Sequence, residues 1–319
     1  MLFSASRIIT AHKIYNKEYV VIMNEDENES FNRWSCLDPN TNSYRVFNKH
    51  HCEINNYIWS FVPLQSFGEY LVRHDKADKT IHDIFHVSGI DSRRVEKSKA
   101  LWMKNFKSFQ NLCYINALTS ILSYLEFYIK RIGTISLLSD PGVMIGESRA
   151  VDGTKLIKNT KAVNTEKIIT SLVKGTWYDR ARNFELVFLE LPSSIRDNIE
   201  TLEKIRKIRN RAAHSFSRMD NGVFVDRVED KFHDKVELES LKKYMSLISD
   251  IAVDIDKQLL RNNIGEFESI YIYHSNQDKF RGFNNEKARQ FGTLLNSSYV
   301  GNIRSKKFCK QLIDYYSGL

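Results

Sequence analysis

The sequence is poor in residues that interrupt helices: it has four prolines and thirteen glycines in 319 residues. That scarcity disfavours a turn-dense all-β fold and leans the chain towards helix. Cysteine is scarce as well. Cys36, Cys52, Cys113 and Cys309 are scattered and form no CxxC, so neither a disulfide framework nor a zinc cluster is expected, and a reducing, cytoplasmic setting is the simplest. No run of about 18 apolar residues occurs, so no membrane span is expected. Residues 1–19 lack the apolar core and cleavage site of a secretory leader. There is no Walker A motif and no GxGxxG, and the glycine-containing run at 141–146 has no lysine, which argues against nucleotide hydrolysis. No Cys–His or Ser–His–Asp arrangement has local support. No cofactor is called for.

What is present is a globular composition, 42% hydrophobic and 27% charged, with 19 Phe, 15 Tyr and 4 Trp. Lysine and arginine total 47 against 39 acidic residues, a net +8 that permits a polyanionic partner without identifying one. The texture divides the chain in three. Residues 1–104 carry aromatic and β-branched runs at 19–23 and 57–63, separated by polar turns at 24–30, 38–43 and 48–56. They are expected to form a small mixed α/β or β-rich module, whose role (sensing a trigger, restraining the rest of the chain or selecting substrate) the sequence leaves open. Residues 105–262 read as a helical bundle. A long periodic stretch covers 107–132, a Gly/Asp/Thr break 139–154, and shorter helices 163–174 and 179–191. A stop and N-cap at Pro192-Ser193-Ser194 precede a helix running to His214. The last bundle helix is expected over 235–262, with Leu238, Leu241, Met245, Ile248, Ile251, Ile255 and Leu259 in steps of three and four. Residues 263–319 begin with an expected strand at 269–274 and end in a basic helical pair, 286–296 and 303–316.

The positive charge is concentrated in one place. Residues 202–218, LEKIRKIRNRAAHSFSR, hold six basic residues and one acidic, while 219–256 hold ten acidic and five basic. On a helical projection Leu202, Ile205, Ile208, Ala212 and Phe216 share an apolar face. Arg209 falls inside that face, Arg206 at its edge, and Lys204, Lys207 and Arg211 outside it. A guanidinium on a buried face needs a partner. The preceding long helix supplies one, because Glu126 projects among Ile115, Leu118, Leu122, Leu125 and Ile129. A helix–helix pair joining Glu126 to Arg209 is therefore expected, and geometry alone leaves a structural ion pair and a catalytic one both open. Beyond Arg209, Asn210 and His214 share a face, with the small Ala213 between them. An arginine, an amide and an imidazole along one cleft wall suit phosphodiester chemistry on RNA, whose 2′-OH is its own nucleophile.

The string Arg209-Asn210-Arg211-Ala212-Ala213-His214 resembles the R-(N/D/H)-x-x-x-H form of the Rx4–6H motif of the HEPN superfamily. The resemblance covers about 105–262. It implies an antiparallel α-bundle with the motif late in one helix and a final long helix after it. It also implies a metal-independent endoribonuclease, often a bacterial toxin or anti-phage defence effector, acting as a homodimer with a composite active site on an RNA substrate. An antitoxin or sensor partner is implied too. By the same resemblance Arg209 and His214 are catalytic, Asn210 orients them and Glu126 supports Arg209. Arg206, Lys207 and Arg211 are expected to hold flanking phosphates. Two rivals remain: a non-catalytic HEPN-like RNA-binding or assembly module, and a nucleic-acid-binding regulator using the C-terminal helices. In the latter, Arg304, Lys306, Lys307 and Lys310 line a helix pair whose linker has the length of a helix-turn-helix.

Other signals are weaker. His82 and His86 are spaced for one helix face, but the glutamate of HExxH is missing. His50, His51, Cys52 and Cys36 fit no zinc spacing, and no metal site is expected. Tyr271 and Tyr273 alternate as strand residues do. They would serve either as base-stacking platforms or, more commonly, as half-buried strand residues.

Overall fold

A computed structural model describes residues 31–75, 78–215, 234–298 and 304–319. The described residues are mainly helical and contain no strand. Twelve α-helices occur among them. These are α1 (Asn42–His74), α2 (Ile81–Ile84), α3 (Lys99–Ser139), α4 (Gly153–Lys158), α5 (Glu166–Val173), α6 (Trp177–Phe188), α7 (Ser193–Arg196), α8 (Ile199–Ser215), α9 (Leu238–Leu259), α10 (Phe267–Asn276), α11 (Asn284–Ser298) and α12 (Lys306–Gly318).

The centre is α3. Ser98 caps it, accepting the Leu101 N–H, and its 41 residues make it about 60 Å long. Ile115, Leu118, Ile121, Leu122, Leu125, Tyr128, Ile129 and Ile132 are all buried, at 3% exposure or less. Those positions fall within an arc of about 140°, the face turned into the fold, while Asn116, Ser123, Phe127 and Lys130 on the opposite side are exposed. Around it pack α1, α5, α8 and α9. By length and composition α3 is also the one described helix long and apolar enough to cross a membrane, and half of its most apolar window is buried inside the fold. The helix α9 buries Leu241, Met245, Ile248, Ile251, Ile255 and Leu259, the face read from the sequence. The stop at Pro192 holds, but the serine cap and the single helix to His214 do not: Pro192 itself precedes α7 with no side-chain cap, α7 is a single turn, and α8 begins afresh at Ile199.

Two expectations are corrected. The part of the expected N-terminal module that is described is helix, not a mixed or β-rich unit. Residues 48–56 and 57–63, read as turn and strand, both lie inside α1. The run at 19–23 lies outside the described residues. Propensity misled here, because α1 is fixed by period. Phe47, Ile58, Gly68 and Val72 are buried, and Ile54 and Phe61 pack partly beside them, all along one face against α3. Pro63 sits inside the helix, which continues through it despite the lost N–H. The expected strand at 269–274 is likewise part of α10. The buried positions there, Phe267, Ile270 and Tyr273, step by three and pack Tyr273 against Phe280, Phe291 and Tyr316.

The expected boundaries at 104/105 and 262/263 do not follow the contacts, which group Asn32–Leu319 as one compact unit. The first boundary falls within α3, and the second within a π-turn, Leu260–Ile264, that continues α9. That turn ends at Gly265, whose φ of +53° favours glycine. A Cβ there would lie 2.3 Å from the Arg33 carbonyl oxygen.

Arg33 ties this corner together. Only 2% exposed, it donates from Nε to Asp152 at 3.0 Å, from Nη1 to the Ser139 hydroxyl at 2.9 Å and to the Ile264 carbonyl, and from Nη2 to the Ser139 carbonyl. Burial acts to raise the Asp152 pKa, yet the Arg33 charge and the Thr154 N–H more than offset it and leave the carboxyl below its ordinary value. Arg33→Ala strips a buried charge pair and three further hydrogen bonds. We expect a loss of about 3–5 kcal/mol in urea unfolding, and a loss under about 1 kcal/mol would show that this corner does not hold the unit together.

Candidate functional site

Arg209 and Glu126 meet. The buried residues Leu202, Ile205 and Ile208 fix the orientation of α8 against α3. Arg209 Nη2 then donates to Glu126 Oε1, joining the two helices as the projection requires. The sequence did not disclose that the same oxygen takes a second guanidinium. Arg180 of α6 donates from Nη1 to Glu126 Oε1 at 2.9 Å. Arg180 also donates from Nε to the Gly175 carbonyl at 3.2 Å and lies 5.1 Å over the Trp177 ring. Desolvation depresses its pKa, against the opposing pull of Glu126.

The three side chains differ in exposure, at 6% for Arg180, 20% for Glu126 and 24% for Arg209. Arg180 is the anchored member and Arg209 the more open one. Two guanidiniums on one carboxylate leave a local positive charge. Arg209 Nε is moreover buried without a hydrogen-bond partner. Such a cluster, at the edge of solvent and carrying an uncompensated charge, favours an anion.

Asn210 is half-buried next to this triad and hydrogen-bonds to neither Arg209 nor Glu126 among the described residues. His214 lies one helical turn beyond Asn210, within the last two residues of α8. Its side chain falls outside the described residues.

The expected phosphate-holding residues divide. Lys207 is exposed. Arg206 is engaged in a two-point pair with Glu203, at 2.9 Å from Nε and 2.5 Å from Nη2. This pairing lowers the Glu203 pKa and raises that of Arg206. Arg211 grips Asp234 in the same way, at 2.7 and 2.6 Å, which raises its pKa. Both guanidiniums thus face carboxylates of this chain rather than open solvent. Glu203 also accepts the Trp177 N–H at 3.1 Å, so it links the start of α6 to α8. Beside these pairs an open groove of about 320 Å3 is lined by Tyr178, Glu200, Glu203, Lys204, Lys207 and Arg211.

The residues missed were Arg180, Glu203 and Asp234. A signal existed for the first. Trp177, Ala181, Phe184 and Phe188 form the apolar face of α6, and Arg180 projects into it just as Arg209 does in α8. For Asp234 there was none, since only the chain's return after α8 brings it to Arg211.

Two of the discounted histidines have backbone partners. His82 Nε2 donates to the Val95 carbonyl at 2.9 Å, and α2 ends before His86, whose φ is +51°. The two therefore do not share a helix face. His51 Nε2 donates to the Met245 carbonyl at 3.1 Å. At the C-terminus, α11 and α12 form and pack together, but Arg304 turns inward onto Asp38 at 2.8 Å and Glu266 at 3.0 Å. No family model matches this chain, and no curated protein or solved structure matches it.

Proposed function

We propose that the protein is a metal-independent endoribonuclease of the HEPN type. The observation that carries this reading is the Glu126 carboxylate gripping both Arg180 and Arg209, on the helix that bears Arg209-Asn210-Arg211-Ala212-Ala213-His214. In the proposed reaction the substrate's 2′-oxygen attacks the adjacent phosphorus, the P–O5′ bond breaks, and a 2′,3′-cyclic phosphate and a 5′-hydroxyl remain. His214 moves the proton, as base to the 2′-OH or as acid to the departing 5′-oxygen. Arg209 neutralises the charge that builds on the phosphoryl oxygens, its fork held by Glu126. Arg180 is a positioning residue, fixing the carboxylate that fixes Arg209. Asn210 orients the pair.

Lys207 and the groove beside Tyr178 support a path for the flanking strand. Arg206 and Arg211 would join it only by exchanging Glu203 and Asp234 for phosphate. The composite cleft of two protomers, and a toxin or defence role with an antitoxin or sensor partner, belong to the same proposal. They rest on the motif's resemblance alone. Incubation of the purified protein with mixed RNA in EDTA, beside DNA of the same sequence, tests the reading. RNA is expected to be cut and DNA to stay intact, because DNA lacks the nucleophile. Cutting of both would remove 2′-OH attack from the account. Light scattering is expected to give a dimer, and a strict monomer that cleaves RNA would contradict the composite cleft.

A further inference from the structure

A separate concavity of about 390 Å3 opens between the C-terminal half of α3 and the first turns of α10. Its lining is mostly apolar, with Ile135 and Leu138 from α3 and Ile272 from α10. Phe127 and Tyr271 also line it and are 53% and 45% exposed. Tyr271, which an alternating strand would have left half-buried, instead stands on a helix facing this space.

One carboxyl lies in the lining, that of Glu268. Its Oε2 accepts the Asn42 N–H at 2.9 Å, and no other hydrogen bond or ion pair to it is found among the described residues. Burial pushes its pKa up to about 7, opposed by that N–H, with Asp256 adding to the rise and Arg45 and Arg131 resisting it. Lys130 and Arg131 lie in the same lining. Neither has an ion pair among the described residues, and the Arg131 guanidinium lies 5.9 Å over the Phe127 ring.

These features ask for one kind of ligand. A carboxyl in an apolar wall is costly unless donors meet it. Exposed aromatic rings beside a cavity are surfaces for a flat ring system. Two cations nearby call for an anionic group on the same molecule. We propose that this concavity binds a guanine mononucleotide, with the base's N1–H and N2–H2 edge donating to Glu268, its ring against Phe127 and Tyr271, and its phosphate at Lys130 and Arg131. Among the RNA bases, guanine alone sets two adjacent N–H donors against a carboxylate's two oxygens. Adenine, cytosine and uracil each place an acceptor where the second donor is needed. The volume falls in the range of small-molecule sites, about 300–1,000 Å3. The inference does not depend on the ribonuclease reading. Phe127 follows Glu126 directly but points about 100° away around α3, so the two sites use different faces of one helix.

Calorimetric titration of the full chain with GMP, AMP, guanosine and inorganic phosphate tests the proposal. GMP is expected to bind at least about tenfold more tightly than AMP, because a lost or mismatched buried hydrogen bond carries that much discrimination. Glu268→Gln keeps an acceptor for Asn42 but sets a donor against the base, and should weaken GMP at least about tenfold. Arg131→Ala should weaken GMP but not guanosine. Tyr271→Ala, at an exposed position, should weaken both, and a thermal melt of each variant checks its fold. AMP binding as tightly as GMP, phosphate binding as tightly as GMP, undiminished GMP binding by Glu268→Gln, or no GMP binding at millimolar concentration would each overturn the proposal. So would Glu268-dependent binding of a guanine-rich RNA oligomer in the absence of GMP binding, which would assign the cavity to a strand.

Discussion

His214→Ala is expected to lower RNA cleavage by about 10^2- to 10^4-fold, the usual contribution of a positioned acid–base group, and to leave the fold unchanged. The separation of effects follows from where the residue lies. The packing of α8 is set by Leu202, Ile205 and Ile208, each 4% exposed or less. His214 is more than a turn past the last of them, in the final two residues of the helix. An alanine there is helix-compatible, so the melting temperature should hold while the initial cleavage rate collapses. A variant that melts like the parent and cleaves at the parent rate removes His214 from the chemistry. Asn210→Ala provides a graded companion: as an orienting rather than a proton-transferring group it should cost less than His214→Ala.

Glu126→Ala is expected to be the most destabilising single change at the site as well as an inactivating one. It leaves Arg180, 6% exposed, without a carboxylate, and removes the sole ion-pair partner of Arg209 among the described residues. Breaking a buried pair by deleting one member costs about 3–5 kcal/mol. The 20% exposure of Glu126 argues for the lower end, near 3 kcal/mol. Urea unfolding measures this. Glu126→Gln keeps one acceptor oxygen and should fold with a smaller loss, so its cleavage rate reports the carboxylate's effect on Arg209 separately from stability. If both variants unfold within about 1 kcal/mol of the parent, the triad is a surface ion pair and not a fixed scaffold. Combining Glu126→Leu with Arg180→Leu should cost less than the two single changes added together, since the most buried guanidinium, Arg180, is removed with its carboxylate and only the more open Arg209 loses a partner.

Those two experiments bear on residues that the sequence exposed unequally. Arg209 and Glu126 could be read because each is a charge inside a helical apolar stripe, and period alone tells which face is buried. The same reasoning would have reached Arg180 had it been applied to α6. It could not reach Asp234, whose approach to Arg211 depends on the tertiary path of the chain. Nor could it show that Arg206 and Arg211 are matched by carboxylates, because net charge along a sequence does not say which pairs close in space. The fold was legible where period was sustained, as in α3 and α9. It was misread at 57–63 and 269–274, short runs of aromatic and β-branched residues whose strand-like propensity yielded to packing against α3 and against the Tyr273–Phe280–Phe291 cluster. The basic C-terminal face was likewise overcounted, since Arg304 binds Asp38 and Glu266 and stabilises the fold instead of projecting from it.

The central claim is that this helix cuts RNA by turning the substrate's own 2′-oxygen on the neighbouring phosphorus. The end groups of the products report that step most directly. RNA treated with the purified protein in EDTA should yield fragments ending in 2′,3′-cyclic phosphate, paired with 5′-hydroxyl ends. Fragments carrying 3′-hydroxyl and 5′-phosphate ends would show that water or another external nucleophile attacked, and would contradict the account.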